Sequence, residues 1–258
     1  MVRPMRRLFL LAMLACALSV VPSAAAILGG QADGNAHPYV AFVGDPVTRA
    51  SCSATIISPT VAVTAAHCFA PGATVLVFPY ADGPRGGPPV VGTFTPHPDF
   101  CKPPACTGDP SDPAFFVTDD VAVVQLSQPV ALATYAELPK IEKSQGKGKV
   151  QKWVGKDVSL LGFGVQAFGP GPVSDLTRTV AQEELAQPVP VAADKFVQID
   201  QQAAGFCLGD SGGPVLEKKK DVVLAISSSN SDVETCLGAA LAYRLDSEAA
   251  QSFIRSFS

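Results

Sequence analysis

Three residue types in this 258-residue chain suit covalent chemistry on a carbonyl: Ser211, His67 and Asp120. Ser211 lies in the run Gly209-Asp210-Ser211-Gly212-Gly213-Pro214, just after Cys207. Small neighbours expose the hydroxyl and let a substrate come close to the main chain, where consecutive amides can converge on a developing oxyanion. The same composition also suits an ordinary turn, so the run does not decide the matter alone. A serine nucleophile needs a base near neutral pKa, usually histidine. His67 closes Val61-Ala62-Val63-Thr64-Ala65-Ala66-His67-Cys68, an apolar strand ending in small residues that leave an imidazole room to face a cleft. His37 and His97 each precede a proline and read as loop or turn residues. The base in turn needs a carboxylate that fixes its tautomer and stabilises the imidazolium. Asp119 and Asp120 stand at the mouth of the apolar run Val121-Ala122-Val123-Val124, where a partly buried carboxylate is useful only when paired. Successive strand side chains point to opposite faces, so Asp120 is the expected partner and Asp119 a solvated charge or turn hydrogen bonder.

These side chains must be positioned by a strand-rich chain. Short apolar or β-branched runs recur at residues 39–43, 52–57, 61–64, 75–78, 90–94, 121–126, 158–161, 215–216 and 222–226, with Gly, Pro and Asp between them. Their spacing is too close for repeated βαβ units, which predicts an all-β antiparallel barrel or sandwich. Two stretches depart from the pattern. Residues 101–114 carry four prolines with Cys101 and Cys106 and read as a stiff excursion, either a surface insertion or a loop that shapes substrate access. Residues 246–254 are the best helix candidate, with acidic residues in the first turn and Phe253 and Ile254 as an apolar anchor. The run Glu217-Lys218-Lys219-Lys220-Asp221 reads as a solvated hairpin turn.

The first 26 residues read as a secretory signal peptide: Arg3, Arg6 and Arg7 precede an apolar run from Leu8 to Val21 and a small-residue stretch ending at Ala26. The run is too short for a confident membrane span. Cys16 is an imperfect alternative as a lipid-attachment site. The whole chain has a net charge of -4; loss of the three arginines leaves 16 basic against 23 acidic residues, or -7. No basic nucleic-acid surface is indicated. Six cysteines remain, an even count that suggests disulfides in a secreted chain, with fifteen complete pairings open. Three histidines and no Cys-x-x-Cys pair argue against a metal site, and the chemistry calls for no cofactor.

The order His67, Asp120, Ser211 is that of the chymotrypsin arrangement. Together with Thr64-Ala65-Ala66-His67-Cys68, Asp120-Val121-Ala122-Val123 and Cys207-Leu208-Gly209-Asp210-Ser211-Gly212-Gly213-Pro214, it makes residues 27–258 resemble a secreted trypsin/chymotrypsin-family serine protease. Weaker echoes are Ile27-Leu28-Gly29-Gly30, His97-Pro98, Leu161-Gly162-Phe163-Gly164 and Tyr243-Arg244.

The resemblance implies two packed six-stranded antiparallel β-barrels, residues 27–135 and 150–245, with a short C-terminal helix at 246–256. It implies disulfides Cys52–Cys68 and Cys207–Cys236, which leaves Cys101 for Cys106; no cysteine lies between Cys106 and Cys207 to staple the second barrel before the serine. It assigns Ser211 as nucleophile, His67 as base and acid, Asp120 as its orienter, and the amides of Gly209 and Ser211 as oxyanion donors. Asp210 would receive the α-ammonium of Ile27, released by signal cleavage after Ala26. The specificity pocket maps to Gly205, Phe206, Ser227, Ser228, Ser229 and about Ala240. Gly205 brings no carboxylate, which argues against Lys or Arg, and Phe206 and Ser229 suggest a narrowed pocket for an apolar side chain. The implied partners are protein or peptide substrates and proteinaceous inhibitors, engaged by a monomer. Two rivals remain: an inactive protease-like secreted binding protein, and an esterase, whose usual α/β-hydrolase form has its histidine after the serine rather than before it.

Overall fold

The computed structural model describes residues 27–100, 119–142, 153–168, 170–186 and 195–258. In chain order the strands are β1 Gln31–Ala32, β2 Val40–Gly44, β3 Ser51–Ser58, β4 Val61–Thr64, β5 Thr74–Phe78, β6 Val90–Pro96, β7 Ala122–Leu126 and β8 Asp157–Gly162. They continue as β9 Ala167–Phe168, β10 Pro172–Val173, β11 Thr179–Ala186, β12 Phe196–Gln201, β13 Pro214–Glu217, β14 Val223–Asn230 and β15 Gly238–Arg244, before the helix α1 Glu248–Arg255. The order β2-β3-β4-β7-β6-β5 closes a six-stranded antiparallel barrel. A second closes as β11-β12-β15-β14-β13-β8, through the β8–β11 pairing. The fold is all-β with one short C-terminal helix.

Closure removes sheet edges and fills each interior with side chains. All four residues of β4 are buried. On β8, Val158 and Leu160 point into the second barrel's own core, while Leu161 joins the apolar cluster continuous with the first barrel; the alternation of strand side chains lets one strand serve two cores. Phe42 of β2 meets Phe163 edge-on across the barrels, ring centroids 6.1 Å apart.

The N-terminal segment packs with the second barrel. Residues 27–32 fall in the span assigned to the first barrel, yet they attach to the second: Gln31 pairs with Val180, and Leu28 exchanges both main-chain hydrogen bonds with Gly205. The free edge of β11 and the Gly205 loop offer main-chain partners there, and Ile27 is buried in the second core. Arg178 fastens the continuation. Its buried guanidinium donates to Asp33 Oδ2 (2.8 Å), Val40 O (2.7 Å) and Gly34 O (2.6 Å). The helix returns the chain end to the first-barrel cluster through Ala250 and Ile254, and Ser247 Oγ caps it by accepting from the Ala250 amide. No helix of the described residues is long and apolar enough to cross a membrane.

Candidate active site

Three segments distant in sequence meet between the barrels. The buried strand β4 passes into a single 3-10 turn, Ala66–Cys68, that carries His67. The Cys52–Cys68 disulfide ties that turn to β3. Asp120 lies just ahead of β7, and Ser211 lies between Cys207, bonded to Cys236, and the start of β13. Cys101 and Cys106 lie outside the described residues.

His67 Nδ1 is 2.8 Å from Asp120 Oδ2, and His67 Nε2 is 2.9 Å from Ser211 Oγ. Asp120 Oδ1 also accepts the His67 amide at 3.0 Å, and Ser228 Oγ donates to Oδ2. An ionised carboxylate can only accept, so the imidazole proton sits on Nδ1 and the Nε2 lone pair faces the serine hydroxyl. Burial opposes a charge on His67, but the charge and hydrogen bond of Asp120 outweigh it and raise the imidazole above the ordinary histidine value. Burial also pushes Asp120 up; the charge and hydrogen bond of His67, with the Ser228 hydroxyl and the His67 amide, overcome this and hold its carboxyl below the usual range. Asp119 is turned the other way, and not into solvent. Tyr243 donates to it at 2.8 Å and Lys195 pairs with it at 3.0 Å. His97, Asp99 and Asp119 bring ligand-type atoms within 4.8 Å of one another beside the triad, but the positive charge at Asp119 is already that of Lys195.

Gly209 has φ +94°, a conformation open to glycine. The carbonyls of Gly209 and Ser211 are engaged by Ser53 of β3, through Oγ at 3.0 Å and the amide at 2.8 Å. The Gly209 and Ser211 amides have no acceptor among the described residues, leaving two donors beside the Ser211 hydroxyl. The expected Ile27–Asp210 pair calls for the α-ammonium of a chain cleaved after Ala26. With the Ala26–Ile27 peptide bond intact, the Ile27 nitrogen is an uncharged amide, and it donates to Thr179 Oγ1. The fully buried Asp210 accepts instead from the amides of Gly164 (2.8 Å) and Cys207 (2.9 Å). Burial raises its pKa well above the usual value, because two amide hydrogen bonds do not replace a cation.

A hydroxyl, an imidazole, a carboxylate and two amides without an acceptor among the described residues stand in one place, an arrangement that can support acyl transfer. The sequence pattern of the family described as Trypsin matches residues 26–239. The chain belongs to the trypsin family. Among solved structures, HL collagenase shares 17% identity and a TM-score of 0.66, covering 89% of this chain and 97% of its own. The scabies mite inactivated protease paralogue S-I1 has 18% identity and a TM-score of 0.64, covering 88% and 99%. Human heparin binding protein has 18% identity and a TM-score of 0.63, covering 89% and 96%. At such identities the likeness is one of fold. No individual curated protein matches the chain.

In this trypsin-family chain a cleft of about 360 Å³ opens beside the triad, walled by Phe206, Ser227, Ser228, Ser229 and Asn230, with Leu208 and Val233 at its rim. Gly205 and Ala240, mapped to the pocket from the sequence, are not among its lining residues, and Ala240 packs in one cluster with Phe206. Sequence reasoning placed Ser228 in the pocket wall and missed its bond to Asp120; three consecutive serines closing an apolar strand were the available signal. The roles of Ser53 and Thr179 carried no local signal at all.

Proposed function

We propose that the chain is a secreted serine endopeptidase that hydrolyses peptide bonds through an acyl-enzyme and prefers an uncharged apolar residue before the scissile bond. The observation that carries the reading is the Asp120–His67–Ser211 relay at 2.8 and 2.9 Å. Ser211 Oγ attacks the peptide carbonyl as its proton passes to His67 Nε2, and the same proton goes on to the leaving amine. Asp120 stays ionised throughout and offsets the imidazolium. The Gly209 and Ser211 amides receive the oxyanion, and water then repeats the sequence to release the acid.

Secretion rests on the leader and the cysteine usage. Cleavage after Ala26 would convert the Ile27 nitrogen into an α-ammonium beside the buried second core. Such a cation would offset the charge that Asp210 otherwise carries alone.

A second reading, an inactive binding protein, draws support from the fold neighbour named as an inactivated paralogue. One experiment separates them. The mature secreted protein, its first residue read by mass spectrometry, is incubated with a diverse peptide library beside Ser211→Ala. We expect a chain starting at Ile27, cleavage after apolar residues, and loss of at least about 10³-fold in the variant. Equal cleavage by both proteins, or none by either, defeats the endopeptidase reading. Cleavage concentrated after Arg defeats the preference, and a start at Ala25 or Cys16 defeats the Ile27 terminus.

A further inference from the structure

Phe206, in the wall of the cleft, is held by a side chain the catalytic chemistry does not use. Gln201, at the end of β12 and only 1% exposed, turns its amide onto Phe206. Its Oε1 accepts the Phe206 amide at 2.7 Å, while its Nε2 donates to Phe206 O at 3.1 Å and to Cys236 O at 2.6 Å. Asn230, from the opposite wall, donates to the same two carbonyls at 3.0 and 3.2 Å. Gly205 takes a new meaning from this. A Cβ there would lie 2.1 Å from Gln201 Cδ, so the missing side chain is the room that the Gln201 amide occupies.

We propose that Phe206, held by Gln201, is the specificity-determining residue of the cleft and limits the side chain before the scissile bond to a small aliphatic group, of alanine to valine size. The inference rests on the endopeptidase reading and adds the size limit and its cause. Phe206 lines the cleft and is fixed there by burial with Ala240 and Ala242 in the second core. Charge is refused for a separate reason. Phe206 O and Cys236 O each already receive two donors, which fills both lone pairs of each carbonyl, and no carboxylate is among the cleft's described lining residues, so a lysine or arginine head would be desolvated with no counter-charge. The lips are apolar and open: Leu208 is 51% and Val233 56% exposed. A short aliphatic side chain loses water against them without needing a polar partner.

The test compares kcat/KM for peptides that differ only in the residue before the cleaved bond, Ala, Val, Phe or Arg. Wild type, Phe206→Ala, the milder Phe206→Leu and Gln201→Met are compared, and labelling of Ser211 by a small phosphonofluoridate is read by mass in each. In wild type, Ala and Val should exceed Phe and Arg by about tenfold or more, the scale on which pocket shape discriminates. Both Phe206 variants should raise the Phe-to-Ala ratio by about tenfold, and Gln201→Met should move it the same way by less, because the ring loses its clamp. A purely structural role would lower all four substrates together. Normal labelling with an unmoved ratio, or with wild-type cleavage after Phe or Arg as fast as after Ala, overturns the size limit alone. Absence of both labelling and cleavage in wild type brings down the endopeptidase reading and this inference with it.

Discussion

His67 and Asp120 are each buried enough that neither would hold a charge alone, and each makes the other's charge affordable. That coupling fixes a pH dependence. In the proposed mechanism neutral His67 accepts the Ser211 proton, so kcat/KM should rise as His67 loses its own proton, and the raised pKa puts this limb above the ordinary histidine value of about 6.5. Asp120→Asn removes the charge that raises it. The limb should then move to lower pH while the plateau falls by about 10⁴, the size of this effect in the serine–histidine–aspartate template. A pH profile of the variant checks both, and an unmoved limb would exclude His67 as the titrating base. The candidate triad was legible because small residues before a histidine, a carboxylate before an apolar strand and glycines around a serine are all local patterns. Asp119 was not. Its partners Lys195 and Tyr243 lie 76 and 124 positions away, so nothing beside it announces an ion pair.

At the scale of elements, the strand ends and turns decide whether the triad meets. Gly212 is packed against β3 and β4: an added Cβ would lie 2.1 Å from Thr64 Oγ1, 2.5 Å from Ser53 O and 2.7 Å from the Ala65 amide. Two of those atoms are main chain, so they yield only if a barrel moves. Gly212→Ala should therefore cost about 1–3 kcal/mol as an overpacked site and separate His67 from Ser211. Urea unfolding together with activity on the best peptide would show it; a fully stable, fully active variant would refute the account. Strands rich in Val and Ile were readable from their own residues. The strands β11 and β15 were not, since TVAQEELA and GAALAYR carry helix-favouring Ala and Glu. Their state is set by the partner strand, with Phe196 opposite Tyr243 and Val180 opposite Leu161, because β-propensity is mostly a matter of what a residue packs against.

For the whole molecule, the question is what holds two barrels in one register. Arg178 is central: it is 1% exposed, sits beside β11 and grips Asp33, Gly34 and Val40 on the way into β2. Burial pushes Asp33 up, but hydrogen bonds and charge from His37 and then Arg178 hold it below the usual carboxylate range. Its stabilisation is thus fully present above about pH 4 and is lost as the pH falls through its depressed folded value. Arg178→Leu would leave that carboxylate to His37 alone and take a donor from two carbonyls, and should cost about 1–3 kcal/mol in chemical denaturation at neutral pH. A loss below about 1 kcal/mol would show the network to be incidental. The sequence by itself determined the all-β class, the three triad candidates and the lack of a carboxylate at Gly205, because alternation, small-residue runs and charge are properties of neighbouring residues. Only the tertiary structure decided that Ser211 meets a histidine 144 positions earlier, that Ser228 reaches Asp120, and that Gly205 makes room for Gln201. Those outcomes depend on which distant groups compete for one hydrogen bond or one small volume, and that competition exists only once both barrels have closed.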